Sequence, residues 1–311
     1  GAMNTIIDAP EHTNVGGVVG RLSQSLANNH YIGNCFYLCD YDEIKELEFI
    51  NGGGDRYTAA ALDKYYIKGK TNVGGIVGFN GEGGHSFNNI ISNIDVEGST
   101  CDVGGLFGIA HYGNQFENCS CSGDVEIYAA EEADEAQEIG GIAGVWNNGG
   151  ADVVMTNCEF TGTVTTNIDR ETVWYNNIVG RAYSATGTGR LIIDGNVVVA
   201  SANTLQAAIN GAKDGDIIKL VDDITVSETS DPNGNVVYYT GDKSFTIDLN
   251  GKEVKGNTSN VVFRFQKAEG EVNTITIKNG TVEALENCWS AISIGSSAST
   301  KTYVNLVDLT V

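Results

Sequence analysis

The chain of 311 residues has only two prolines, Pro10 and Pro232, against forty glycines. That balance leaves few rigid breaks and suits many tight turns. Basic residues are scarce as well: 18 Lys and Arg against 40 Asp and Glu give a formal charge of −22. Such a surface repels phosphate backbones and anionic lipid, so nucleic acid is not expected as a partner, and the charge keeps a long molecule in solution. No apolar run reaches the roughly twenty residues that a membrane-spanning helix needs, so membrane insertion is not expected. No signal peptide opens the sequence. Gly1-Ala2-Met3 resembles the remnant of a cleaved tag, and the natural start is expected to have been trimmed. The seven cysteines fit no zinc spacing, because Cys119-Ser120-Cys121 has no second pair at a suitable distance. The full Gly-x-x-x-x-Gly-Lys-Ser/Thr phosphate loop and His-Glu-x-x-His are absent, and no serine or cysteine nucleophile motif appears.

What is present is repetition. Val15-Gly16-Gly17-Val18-Val19-Gly20 recurs as Val73-Gly74-Gly75-Ile76-Val77-Gly78, Val103-Gly104-Gly105-Leu106-Phe107-Gly108 and Ile139-Gly140-Gly141-Ile142-Ala143-Gly144, with a worn copy at Tyr175-Asn176-Asn177-Ile178-Val179-Gly180. The copies lie 58, 30, 36 and 36 residues apart, the length of one coil in a stacked repeat rather than of a hairpin. The paired glycines are expected to take positive φ and to leave room between neighbouring coils. Residues 40–66 account for the long first spacing, and the acidic stretch at 129–138 reads as an exposed bulge.

Each copy has a second half. Phe116-Glu117-Asn118-Cys119 through Gly123-Asp124-Val125 aligns with Met155-Thr156-Asn157-Cys158 through Gly162-Thr163-Val164. Cys35, Ile90, Cys119 and Cys158 therefore share one column. Isoleucine substitutes there, so stacked core thiols are expected, with a Cys119–Cys158 disulfide left open. The four histidines fall at different repeat offsets and read as surface or loop residues. Trp174 occupies a column that elsewhere holds Asn14, Asn72, Asp102 and Glu138. A polar column suggests a face toward water, and Trp174 with it. Trp146 matches Leu22, Asn80 and Ala110, a column that tolerates polarity. Both tryptophans are candidate binding residues, since an exposed indole can stack on a sugar ring or anchor a partner.

Residues 203–209 read as a short helix capped by Asn203 or Thr204, with Leu205, Ala208 and Ile209 on one face. Strands at Ile218-Lys219-Leu220, Ile247-Asp248-Leu249, Ile275-Thr276-Ile277 and Val304-Asn305-Leu306 follow at spacings of 29, 28 and 29. Asp222, Asn279 and Asp308 lie at matching offsets with Asn250 one residue early, a turn column of Asn and Asp. Asp222-Asp223 is the best acidic pair, but Asp222 fits that column.

Val-Gly-Gly-Ile-Val-Gly followed by Asn-Cys and Gly-x-Val resembles the GLUG repeat over about residues 14–200. That resemblance implies a bacterial surface protein with a role in adhesion. Residues 203–311, with the Leu205-Gln206-Ala207-Ala208-Ile209 helix and coils such as Thr246-Ile247-Asp248-Leu249-Asn250-Gly251, resemble the opening of a pectate-lyase-like β-helix. The expected fold is all-β: right-handed parallel β-helix or solenoid repeats in two consecutive segments, 1–200 and 201–311, with a short capping helix starting the second. The expected function is a non-catalytic adhesin or stalk, extracellular or on the bacterial cell surface. It would bind a host surface protein or glycan, use no metal or cofactor, and form part of a larger multidomain chain. The alternative is a piece of a carbohydrate-active β-helix enzyme with its catalytic coils elsewhere.

Overall fold

A computed structural model describes residues 7–22, 31–37, 47–50, 56–59, 66–81, 84–111, 113–127, 139–147, 151–166, 178–183, 190–227, 233–266, 272–295 and 301–311. Among these, strands predominate, most pairs are parallel and one helix is present. No helix among the described residues is long and apolar enough to cross a membrane. The chain divides into two compact units, Gly1–Asn147 with Asn157–Tyr183, and Asn148–Thr156 with Ser184–Val311.

In the first unit the repeat motif sets the register. Val15 pairs with Val73, Val73 with Val103, and Val103 with Ile139 on parallel strands, and all four side chains are buried. The second β segment of each motif forms its own parallel sheet, aligning Val19, Val77, Phe107, Ala143 and Val179. A third set carries the second half of each repeat: Ile32 lies opposite Phe87, and Phe87 opposite Phe116. Phe87, Phe107 and Phe116 meet with ring centroids 4.8–5.0 Å apart, a compact aromatic core. Cys35 is paired with Ile90, and Cys119 and Cys158 are buried next to one another, both as free thiols.

The glycines act by close approach alone. A Cβ on Gly74 would lie 2.2 Å from the carbonyl oxygen of Val77, and one on Gly105 would lie 2.1 Å from that of Gly141. Neither glycine has positive φ; that conformation belongs to the residues two positions before each motif's first glycine, Asn14, Asn72 and Asp102, at φ 58°, 54° and 61°. Asn and Asp tolerate the left-handed region better than other residues with a Cβ. Asn72 also donates from Nδ2 to Asn14 Oδ1 at 2.9 Å. This column is polar because its backbone demands it, and the side chains are only partly exposed.

In the second unit Leu191–Ile193 and Asn196–Val199 form an antiparallel hairpin. Its two-residue turn is Asp194-Gly195, with both residues at positive φ, the requirement of a type I′ turn. Asn196–Val199 then pairs in parallel with Ile217–Leu220, that strand with Phe245–Asp248, and so on through Asn273–Ala284 to Thr302–Thr310. Ile218 is opposite Ile247, Ile247 opposite Ile277 and Ile277 opposite Leu306. The middle step is therefore two residues longer than the sequence spacing implied. A slip of two keeps the same side chains facing inward, so alternation does not reveal it. With that register, Asp222 leaves the turn column. Asn279 and Asp308 remain aligned, both with positive φ, but inside the strands Asn273–Ala284 and Thr302–Thr310 rather than in turns.

The helix spans Ala202–Asn210 and buries Leu205, Ala208 and Ile209. Its cap is Ser201 rather than Asn203 or Thr204: Ser201 Oγ accepts from the Thr204 amide, and Thr204 Oγ1 accepts from the Ser201 amide at 2.9 Å. Two hydroxyl residues three apart satisfy each other's backbone donors, which moves the start back. Leu205 and Ile209 join one apolar cluster with Ile218, Leu220, Ile247 and Phe263. Burial of each such side chain contributes about 2 kcal/mol. Gln206 explains the polar member of the motif. Its amide donates to Tyr238 O and accepts from Tyr238 N, both at 2.8 Å, the two bonds a neighbouring strand would make.

Arg190, 5 % exposed, anchors the start of this unit. Its guanidinium reaches Asp152 through Nη2 at 2.8 Å and Nε at 3.2 Å, and Asp216 through Nη1 at 2.5 Å. Burial pushes the Asp152 carboxyl up, but hydrogen bonding and charge from Arg190, with help from Lys213, outweigh it and leave the group below its ordinary value. A depressed carboxylate stabilises the fold above its unfolded pKa of about 4, and that stability is lost as pH falls through the folded value. Arg190→Met is expected to destabilise the chain by about 1–3 kcal/mol at pH 7, because it strands two partly buried carboxylates. Urea unfolding should show the gap to the native chain narrowing at about pH 3; a gap that stays constant with pH contradicts the ion-pair origin.

Candidate functional site

The chemistry-bearing residues singled out in the sequence are mostly occupied by the fold. Asp222 Oδ1 accepts from the Asp223 amide, and Asp223 Oδ1 accepts from the Glu253 amide, each at 2.8 Å. These carboxylates brace turns. Cys119 is held protonated first by its hydrogen bond with Cys158 and then by burial. Burial pushes Cys121 up to about 12. Thiols so shifted are poor nucleophiles and poor metal ligands at neutral pH. No group of three His, Cys, Asp or Glu among the described residues is arranged to hold a metal ion.

The histidines depart from expectation at one place. His85 is 2 % exposed, not a surface residue. Its amide donates to Asn114 Oδ1 at 3.0 Å, Asn114 Nδ2 donates to His111 O at 2.7 Å, and the His85 ring meets Phe87 edge-on at 6.3 Å. Asn80 is also fully buried, and neither its Oδ1 nor its Nδ2 has a hydrogen-bond partner among the described residues. Asn80 is in register with Leu22 and Ala110, and Ala110 with Trp146. Asn80 and Ala110 are both 0 % exposed, so polarity in this column does not mark a solvent-facing surface. Trp146 has its backbone in Ala143–Asn147, between Phe107–His111 and Val179–Tyr183; its column lends the binding expectation no support. Trp174 lies outside the described residues, and the column that suggested its exposure is polar for the backbone reason given above.

Among the described side chains, the tryptophan that stands in solvent is Trp289, 81 % exposed. It sits in the turn before Ser290–Gly295, and the turn is pinned. The Trp289 amide donates to Asn260 O at 2.6 Å and the Cys288 amide to Leu285 O at 2.9 Å. Asn287 donates to Asn257 Oδ1 from its backbone at 3.2 Å and from Nδ2 at 2.9 Å. The Thr258 amide lies 3.3 Å from Cys288 Sγ. An exposed apolar ring is thus carried by a hydrogen-bonded turn that also carries the Asn287–Asn257 amide pair. Column reasoning passed over Trp289 because it belongs to neither repeat column. The available signal was a large aromatic beside the turn residues Glu286-Asn287 rather than inside an alternating run.

A buried amide without a partner destabilises the fold, and replacing it with an apolar group of similar shape is favourable. Leucine already occupies this register position at Leu22. Asn80→Leu is expected to stabilise the chain by about 1–3 kcal/mol, read as a higher thermal midpoint; a lower midpoint would show that the amide is satisfied.

No protein-family model, no curated protein and no solved structure matches the chain, so the likeness to GLUG repeats and pectate-lyase-like coils rests on the quoted residues alone.

Proposed function

We propose that the chain is a non-catalytic binding or stalk module of the bacterial cell surface or its surroundings, built as two consecutive β-solenoid segments, that holds a host surface protein or glycan without cleaving it. The observation that carries this reading is the column-by-column parallel register in each unit. Stacked repeats of this kind favour extended, regular surfaces. The same register commits Cys101, Cys119, Cys121 and Cys158 to the core, the left-handed Asn and Asp to backbone positions of positive φ, and the Asp222-Asp223 pair to backbone amides. Side chains so committed are poor candidates for nucleophiles or acid–base pairs. The resemblance to surface repeats points the same way.

A glycan and host-protein array, paired with a reducing-sugar assay on plant and bacterial polysaccharides, tests the proposal. The expected outcome is retention of at least one ligand with no release of oligosaccharide. Released product from any polysaccharide would move the chain to the carbohydrate-active alternative.

A further inference from the structure

We propose that Trp289, with the amides of Asn287 and Asn257, is a binding subsite for an uncharged glycan. The inference rests on the non-catalytic binding reading above and names its ligand class and residues. The indole supplies a flat apolar face that matches the C–H face of a pyranose ring, and its exposure leaves that face open. Asn287 spends its amide donor on Asn257 Oδ1. Its own Oδ1 stays available to accept from a sugar hydroxyl, as Asn257 Nδ2 does to donate to one. Hydrogen bonds on both sides of the turn fix the backbone that carries Trp289 and the Asn287–Asn257 amide pair before any ligand arrives, which lowers the entropy lost on binding.

Charge selects among glycans. The molecule carries −22, and Glu283 and Glu286, both exposed, precede Trp289 in the same segment. Lys255 is paired with two carboxylates, Glu253 at 2.7 Å and Glu283 at 3.2 Å, while Arg264 donates to the neutral Gln266 at 3.3 Å. A uronate or sulfated sugar would meet net repulsion there, whereas a neutral hexose or pentose would not.

The test is calorimetric titration of the intact chain with cellohexaose, xylohexaose, mannohexaose and hexagalacturonate, repeated on Trp289→Ala, Trp289→Phe and Asn287→Ala. One stacked ring predicts a Kd of about 1–10 mM for at least one neutral hexaose. Trp289→Ala should weaken it by about tenfold or more, Trp289→Phe by less than about threefold, and Asn287→Ala by a few-fold. Hexagalacturonate should bind at least about tenfold more weakly than the best neutral hexaose. Trp289 is exposed, so its variants should keep the native thermal midpoint.

Tighter binding of hexagalacturonate, or no heat from any neutral hexaose, overturns the proposal. Neutral binding unchanged in Trp289→Ala removes this site while leaving the binding reading intact. Cleavage of a hexaose whose binding still depends on Trp289 supports the site and overturns the non-catalytic reading instead.

Discussion

The hydrogen bonding of parallel strands is the constraint on which the rest of the structure depends. A parallel strand cannot satisfy its amides and carbonyls with its immediate successor in a tight turn, so it must find a partner a full repeat away. Here Val73 finds Val103, Phe87 finds Phe116 and Ile247 finds Ile277. Once those pairs form, many positions along the repeat acquire a vertical neighbour of their own kind. Apolar residues stack on apolar ones, and Asn72 bonds Asn14 just as Asn157 bonds Asn118 at 2.8 Å. Glycine is required wherever a neighbouring backbone passes too close for a Cβ, as at Gly105.

The same constraint explains which features were legible in the sequence. The repeated Val-Gly-Gly motif gave the alignment of Val15, Val73, Val103 and Ile139, because identical residues at one spacing select a single register. The helix around Leu205 and Ile209 was legible from its apolar face. The step from Ile247 to Ile277 was not, because a two-residue slip leaves every side chain on the same face. The Asn14, Asn72 and Asp102 column was read as solvent-facing when its polarity comes from left-handed backbone. Composition reports that a column prefers Asn; it does not report whether φ or water is the reason.

The candidate site was less legible than the fold, for a related reason. Columns expose what recurs, and a binding residue need not recur. Trp289 stands in a turn outside the repeat columns. Arg190 and its two aspartates are scattered over 65 positions of sequence and converge only when Asp152, Arg190 and Asp216 reach neighbouring places in the second unit. Asn80 looked tolerant of water and is fully enclosed.

The central claim is the register itself, and paired cysteines on outward positions of the second unit test it most directly. Thr246 is opposite Thr276 on neighbouring strands, whereas Thr274 is opposite Tyr303. In a chain carrying Thr246→Cys and Thr276→Cys, mild oxidation should form the cross-link, detected as a linked peptide by mass spectrometry, and the Thr246→Cys with Thr274→Cys chain should resist it. Preferential linking of positions 246 and 274 would contradict the account.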